Sequence, residues 1–426
     1  MTVNRTIAPE SKGIDHIQLI KPEQVKLDNG CNIFSFNSND QELVRIEWIF
    51  ANLRFDQAKP LLNVAVNTML TEGTSSLSSS QIADKIDFYG AFLQVDYGYD
   101  HSQVALYTLN KHLAATLPVI KEIITDSVFP ENELETFVRN QQQKLQVSLQ
   151  KNDMVARRKF NKALYGDTIY GLGAEFDDYK TLQREDMIWH FKQMHQPSNC
   201  TILVAGKVDK KTIALLSDAF GDKWTNPTIE ANISQPELRT SREHFYFVEK
   251  PDALQSAIRM GLPSITRGHT DFPALQVTNT VLGGYFGSRL MANIREDKGY
   301  TYGIGSGLSA LRKGGAFFIA TEVGADVCKS AVAEIEKEIN ILKTELVPDE
   351  ELSLVRNYML GSLLGSLENI FSHADKFKSI YFAGLDYEYY DTYTNIVKTI
   401  TSEEILQTAN KYLDLDKFYK VIVGKY

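Results

Sequence analysis

Residues 129–149 read FPENELETFVRNQQQKLQVSL, and a similar stretch, VPDEELSLVRNYMLGSLLGSL, recurs at residues 347–367. A second pair follows in the same order, with YKTLQREDMIWHF at residues 179–191 and VKTITSEEILQTA at residues 397–409. Each member of the second pair precedes a short apolar stretch that is typical of a strand. A long internal repeat of this kind indicates structural units with the same order of elements. The repeat therefore predicts that the chain consists of two homologous halves.

A third repeated block extends the similarity and places the domain boundary. PLLNVAVNTMLTEG, from residue 60, matches PALQVTNTVLGGYFG, from residue 273. We expect one domain over residues 1–230 and a second over residues 231–426, joined through the polar stretch 225–243. Strand-like segments mix with longer segments of helical period in each half. This mixture predicts an α+β fold in which each domain has an antiparallel-dominated sheet with helices packed on one face.

Composition limits the classes of partner. The chain of 426 residues carries a formal net charge of -9, which argues against nucleic acid or an anionic membrane as the main partner. Its apolar stretches are shorter than the roughly 20 residues that a membrane-spanning helix needs. Cys31, Cys200 and Cys328 lie far apart and form no C-x-x-C motif, so we expect reduced thiols. Because the N-terminus shows no apolar export signal, we expect a cytoplasmic protein, or a periplasmic one if a leader has been lost.

One stretch carries a family resemblance. LGGYFGSRLMANIREDKGYTYGIGSGL, residues 282–308, closely resembles the second-domain signature of the pitrilysin and mitochondrial-processing-peptidase (M16) metallopeptidases. The tandem α+β halves, the helix ending MLTEGT and the helix starts PENELE and PDEELS are also similar to that family. The resemblance covers the chain from about residue 20. It implies two peptidase-like domains, and in active members a zinc motif H-x-x-E-H in the first of them.

The zinc motif is degenerate in this chain. In that motif, two imidazoles one helical turn apart bind Zn²⁺ and the Glu between them activates a water molecule. Alignment on MLTEGT places Val64 and Thr68 at the histidine positions and Asn67 at the glutamate position. Val64 has no donor atom, Thr68 offers only a neutral hydroxyl, and the amide of Asn67 cannot serve as a general base. We expect Asn67 and Thr68 to be polar remnants that bond to local backbone or to water.

Other residues do not replace the motif. The family's third ligand is a Glu on a later helix, but no acidic residue stands between Glu135 and Asp153. None of the eight histidines forms an i, i+4 pair with a carboxylate between its members, and His190 and His195 are five residues apart. The sequence also lacks a P-loop, a G-x-S-x-G motif and a Cys-His signature. We therefore expect no metal and no cofactor in this chain.

The other half of the family's catalytic site is present. Arg295 and Tyr302, seven residues apart, match the pair that the second domain of active members presents to the substrate. The resemblance implies that they bind the peptide and stabilise its scissile carbonyl, a role that suits a forked guanidinium and a phenol. Tyr300 departs from the family's usual small or aliphatic residue, which leaves open which tyrosine faces the substrate.

These features suggest the zinc-less subunit of a heterodimeric zinc peptidase. Some family members pair one subunit that bears H-x-x-E-H with another that bears Arg and Tyr. By that resemblance, this chain would have no activity alone, would bind unfolded peptide, and would supply Arg295 and Tyr302 in trans to a partner that carries the zinc. Two alternative functions remain: a non-enzymatic homodimeric scaffold, and a protein that binds peptides without cutting them. For Arg295 itself, the alternative is an ordinary ion pair with Glu296 or Asp297.

Overall fold

A computed structural model describes residues 6, 13–14, 17–222, 224–225 and 237–426. The predicted domain boundary at residues 230 and 231, and most of the predicted linker, lie outside these residues. The elements of the first half are β1 (Glu23–Lys26), β2 (Asn32–Asn37), β3 (Leu43–Ala51), α1 (Leu62–Thr68), α2 (Ser79–Phe88), β4 (Phe92–Tyr97), β5 (His101–Leu109), α3 (Leu113–Asp126), α4 (Glu131–Gln150), α5 (Asn152–Tyr165), α6 (Arg184–Met194), β6 (Cys200–Gly206) and α7 (Lys210–Phe220).

The second half follows a similar order, with two π-helical segments in the place of α2, one more helix before its last, and no counterpart of α7 among the described residues. Its elements are β7 (Phe245–Glu249), β8 (Gln255–Ser264), α8 (Phe272–Asn279), the π-helical segments Thr280–Gly284 and Met291–Asp297, β9 (Thr301–Ala310), β10 (Gly315–Gly324), α9 (Cys328–Thr344), α10 (Asp349–Gly365), α11 (Ile370–Tyr381), α12 (Glu388–Thr399), α13 (Ser402–Tyr412) and β11 (Tyr419–Gly424). The structure has the predicted helix starts: α4 follows Pro130, α10 follows Pro348, and both helices carry carboxylates in their first turns.

The two sheets share one topology. The first has the order β1-β2-β6-β3-β5-β4 and the second the order β7-β11-β8-β10-β9, so the second matches the first without β1. Only the pairs β2–β6 and β7–β11 are parallel in the described sheets. The α+β fold with antiparallel-dominated sheets is therefore confirmed. No helix in the described ranges is long and apolar enough to cross a membrane.

Each half packs its own helices on one face of its sheet, and the opposite face is covered by a helix of the other half. In the first half, the helix-covered face holds buried Trp48 and Ile202, which pack with α1, α3 and α6. On the opposite face, Phe34 and Leu203 pack against Phe377 of α11, which belongs to the second half. The repeat-related helix α5 covers the second sheet in the same way. The halves therefore exchange one helix each.

A polar network accompanies the packing of α11. Arg45, on β3, donates from its two Nη atoms to Asp375 at 2.8 and 3.2 Å. Lys378 donates to Glu47 at 2.7 Å, and Glu47 is only 2% exposed. Because a buried carboxylate is costly unless it is paired, these contacts specify how α11 lies on the first sheet.

Candidate functional site

The degenerate metal positions lie on α1, as the motif alignment predicts. Asn67 is buried, and Val64 and Thr68 are half-buried at this helix. The side-chain amide of Asn67 donates to the main-chain oxygen of Asn63, one turn earlier, at 2.9 Å. The side chain of Asn67 therefore makes a hydrogen bond within its own helix. Its amide group cannot replace a histidine as a metal ligand and cannot act as a general base.

Asn63 links α1 to α6. Its amide nitrogen donates to the main-chain oxygen of Arg54 at 2.8 Å, and its oxygen lies 2.7 Å from Nε2 of His190. Burial lowers the pKa of His190 to about 4, so the imidazole is neutral at neutral pH and donates Nε2–H to Asn63. His195, at the end of the same helix, stacks on Phe50 with ring centroids 4.3 Å apart. Both histidines therefore serve the packing of the first half.

The helix that carries the family's third ligand offers no replacement. In α4, carboxylates stand only in the first turns, at Glu131, Glu133 and Glu135. Burial raises the pKa of Glu72, and the charge of Glu133 raises it further. Sequence reasoning missed this carboxylate pair. Within the described ranges, no group of three or more His, Cys, Asp or Glu side chains could hold a metal ion.

Arg295 lies in the π-helical segment Met291–Asp297, against an exposed aromatic ring. The guanidinium carbon lies 4.7 Å from the ring centroid of Phe286, which is 65% exposed. An ion pair with Glu296 exists but is long, at 3.8 Å. The side chain of Arg295 is 35% exposed. The ring therefore orients the guanidinium by a cation–π contact and leaves part of it open to a ligand.

Tyr302 lies on an irregularity of the edge strand β9. The antiparallel register of β9 and β10 shifts by one residue, so Tyr302 and Gly303 together lie opposite Glu322. A β-bulge of this kind redirects side chains and is common beside functional sites. Tyr302 is 93% exposed, which is unusual for a large aromatic residue in a strand.

Two threonine hydroxyls hold the bulge. Thr321 donates to the main-chain oxygen of Gly303 at 2.9 Å. Thr301 accepts from the main-chain nitrogen of Gly303 at 3.1 Å and donates to the main-chain oxygen of Glu322 at 2.7 Å. The backbone that carries Tyr302 is thus bonded on both sides of the bulge. Sequence reasoning missed both threonines, because Thr321 lies on the neighbouring strand and only the pairing of the two strands brings it to Gly303.

The structure distinguishes the two tyrosines of this turn. Tyr300 packs against the hydrophobic core of the second half, and its main-chain nitrogen donates to Ile294 at 3.0 Å. Tyr302, two residues later, is exposed. The phenol available to a ligand is therefore that of Tyr302.

The two parts of the predicted site lie on different halves. The segment Met291–Asp297, which carries Arg295, packs against β9, which carries Tyr302. α1 packs instead on β4 and α6 of the first half. The structure thus brings the elements of the Arg-Tyr pair together, and it keeps the helix with the degenerate metal positions within the other half.

Comparisons with known proteins show similarity to the M16 peptidases. The family described as "Peptidase M16 inactive domain" matches residues 181–359. The chain is 27% identical over 308 residues to the uncharacterized zinc protease YmxG of Bacillus subtilis, covering 71% of this chain and 73% of that protein. It is 24% identical over 367 residues to the non-peptidase homolog YmxG of Helicobacter pylori, covering 84% of this chain and 82% of that protein.

Solved structures share the fold over nearly the whole chain. A peptidase M16 inactive domain from Pseudomonas fluorescens superposes with a TM-score of 0.85 at 19% identity, covering 96% of this chain and 99% of that one. The periplasmic protease PqqL from Escherichia coli superposes with a TM-score of 0.78 at 15% identity, covering 99% of this chain but only 48% of that one. The chain is therefore similar to the M16 peptidases over most of its length, and its residues 181–359 match the family's inactive domain.

Proposed function

We propose that this chain is the zinc-less, substrate-binding subunit of a heterodimeric peptidase. Arg295 and Tyr302 would act in trans, on a peptide held at the zinc of a homologous partner that carries H-x-x-E-H. The zinc is expected in that partner only. The substrate is an unfolded peptide, and the acidic net charge of -9 argues against nucleic acid as a ligand. We also propose a cytoplasmic location.

The observation that carries this proposal is the exposure of Tyr302 on a bonded bulge. A phenol that is 93% exposed contributes little to the packing of its own chain. The backbone beneath it is nevertheless held by Thr301 and Thr321 at hydrogen-bond distance. Donors that are ordered before the substrate arrives stabilise developing charge without paying for reorganisation. This arrangement suits an oxyanion-binding group better than a surface residue without function.

The length of one structural neighbour supports a partnership. The chain corresponds to 48% of the protease PqqL, which is about twice as long. A single chain of this length therefore corresponds to only about half of such a protein, and the other half has no counterpart in this chain. A second two-domain subunit would supply it, because catalytic groups need only be positioned, whichever polypeptide carries them.

Reconstitution with a homologue tests the proposal. The chain is co-expressed with a homologue from the same organism that bears H-x-x-E-H, and cleavage of unfolded peptides is measured. We expect a stoichiometric complex that cleaves peptides, with activity in neither chain alone. Arg295→Ala should lower kcat by about 100-fold, as the loss of one oxyanion donor commonly does. Tyr302→Phe, which removes only the hydroxyl, should also lower kcat.

Lys298→Ala is the matched control, because Lys298 is an exposed cation in the same turn. It should leave kcat unchanged. Unaltered cleavage by the Arg295→Ala complex would refute the role of the pair. Isolation of this chain with copies of itself alone would instead favour the homodimeric scaffold, with Arg295 and Tyr302 as relics.

A further inference from the structure

One edge of the second sheet lacks the cover that the equivalent edge has in the first half. β7 lies at that edge and pairs in parallel with β11, as β2 pairs in parallel with β6. In the first half, β1 extends the sheet beyond β2 as an antiparallel strand. Among the described residues, no strand pairs with the outer side of β7. The shared topology therefore identifies β7 as the counterpart of β2 with its outer side uncovered.

A helix also covers this edge in the first half. Phe220, on α7, packs on Trp48 with ring centroids 5.2 Å apart. The side-chain amide of Asn29, in the turn between β1 and β2, donates to the main-chain oxygens of Phe220 and Trp224 at 2.8 and 2.9 Å. Ile33, on β2, belongs to the same core and is 1% exposed. Neither β1 nor α7 has a counterpart among the described residues of the second half.

Aromatic side chains stand where this cover is missing. Phe245 and Phe247, on β7, are 42% and 41% exposed, and Tyr426, after β11, is 42% exposed. The ring centroid of Tyr426 lies 5.4 Å from that of Phe245 and 6.1 Å from that of Phe247. Tyr246 and Val248 point to the other face of the sheet, where they pack with the core around α5. The three exposed rings, which we call the β7 patch, therefore form one apolar surface on the opposite face.

The backbone of the same strand directs hydrogen-bonding groups outward. The main-chain oxygen of His244, just before β7, accepts from the main-chain nitrogen of Lys420 at 2.7 Å, so the even-numbered residues here bond to β11. The main-chain groups of the odd-numbered residues Phe245, Phe247 and Glu249 therefore point away from β11. Natural sheets usually protect such an edge with charged side chains, proline or a bulge. Before Glu249, β7 has no charged residue and no proline.

This edge is complementary to itself. If two copies of β7 pair antiparallel about Phe247, the outward-facing residues of one copy meet those of the other: Phe247 meets Phe247, and Phe245 meets Glu249. Each of these pairs can exchange two main-chain hydrogen bonds. The two β7 patches then lie side by side on one face, and no two carboxylates are opposite each other. An antiparallel strand is also what β1 supplies to β2 in the first half.

We infer that a second copy of this chain occupies this edge, and that the two copies join β7 to β7 in one continuous sheet. β9, which carries Tyr302, lies at the opposite edge of the sheet. The contact therefore leaves the Arg-Tyr pair to a different partner, and it does not depend on the proposed function. It would join two such complexes into a larger assembly.

The size of the surface sets the strength of the contact. Three aromatic side chains that are each about two-fifths exposed offer roughly 250 Å² per copy. A standard interface buries about 800 Å² per partner. The pairing of two short strands adds to the aromatic area but does not close this gap. We therefore expect a weak, reversible dimer with a Kd of roughly 10–100 μM.

Sedimentation equilibrium of the full-length chain tests the inference. We expect the average mass to rise from 48.1 kDa towards twice that value as the chain concentration increases from about 5 to about 200 μM. Phe247→Glu should weaken self-association at least about 10-fold, because it places two carboxylates opposite each other at the symmetry axis. Phe247→Pro should also weaken it, since it removes the outward N–H that the other copy accepts, but no hydrogen bond to β11.

A pair of opposite charges tests the register. Phe247→Glu and Phe247→Lys should each self-associate poorly, and their mixture should associate more tightly than either variant alone. This result is specific to a symmetric register, in which position 247 of one copy lies opposite position 247 of the other. Phe88→Glu is the matched control, because Phe88 is an aromatic residue on α2 that is 81% exposed. It should leave self-association unchanged. Thermal unfolding of each variant confirms that it is folded.

Two results would overturn the inference. A wild-type chain that stays monomeric at about 200 μM would leave the β7 edge to a strand of a different protein. Self-association that survives Phe247→Glu unchanged would place the contact elsewhere on the chain. Neither result bears on Arg295 and Tyr302, because their role is tested by cleavage in the complex with a zinc-bearing homologue.

Discussion

The exchange of helices between the halves predicts that truncation of one side chain destabilises the whole chain. Phe160, on α5 of the first half, is 2% exposed and packs with Ala257, Ala316 and Val421 of the second half. The fit is close, since a Cβ added to Gly261 would lie 3.0 Å from the end of the Phe160 ring. Phe160→Ala therefore removes a ring from the junction of the two halves and opens a cavity there.

The size of the effect depends on whether the halves unfold together. A buried Phe→Ala substitution costs roughly 3–5 kcal/mol. At about 2.1 cal/mol/K per residue, unfolding of all 426 residues has an entropy of about 0.9 kcal/mol/K. A loss of about 4 kcal/mol then lowers Tm by about 4 °C if the chain is one cooperative unit. A half that unfolded independently would have about half this entropy, and its Tm would fall by about 9 °C.

Differential scanning calorimetry distinguishes these cases. We expect a single transition for Phe160→Ala, displaced by about 4 °C. Phe377→Ala, the equivalent truncation on α11, should displace the same single transition by a similar amount. Phe88→Ala is the control, because Phe88 is 81% exposed and its loss should leave Tm nearly unchanged. Two separate transitions, of which Phe160→Ala moves only one, would refute the cooperative junction.

Three further outcomes follow from the structure. Burial lowers the pKa of His190 to about 4 and that of His195 to about 3. Below the ordinary histidine pKa of about 6.5, the unfolded chain therefore binds more protons than the folded chain, and the free energy of unfolding should fall as the pH decreases from about 6.5 to 4. His195→Phe should reduce the slope of this pH dependence, measured by urea unfolding. The purified chain should bind no stoichiometric zinc in mass spectrometry under native conditions, and one tightly bound zinc ion per chain would contradict the zinc-less role proposed for it. Thr321→Val removes the donor to Gly303 and should lower kcat of the reconstituted complex with a Tm change of at most a few degrees, whereas unchanged kcat would show that the bulge does not position Tyr302.

Much of the fold could be predicted from local sequence. The proline and carboxylates at the starts of α4 and α10 are local signals, because they act on the first turn of the helix that contains them. The order of the repeated blocks predicted two similar units, and the matching strand orders of the two sheets confirm it. The π-helical segments were not predicted, since a single inserted residue in a helix leaves no distinct periodicity in a short segment.

The site was predicted in its residue types but not in its geometry. Spacing and resemblance selected Arg295 and Tyr302, and their roles stay predictions. The sequence left open whether Tyr300 or Tyr302 faces a ligand. In the structure Tyr302 is exposed beside the register shift opposite Glu322, whereas Tyr300 packs against the core, because a bulge changes the direction of side chains. Such a shift depends on the pairing of β9 with β10, which is a contact between strands.

The sequence by itself determined the repeat, the helix starts and the loss of the metal ligands at Val64, Asn67 and Thr68, because each of these depends only on residues close along the chain. Only the tertiary structure decided which surfaces cover one another. The apolar side chains of α5 and α11 predict burial, but hydrophobic burial has no preferred direction and does not specify the partner. The structure places each helix on the sheet of the other half, where Phe160 and Phe377 fill the junction.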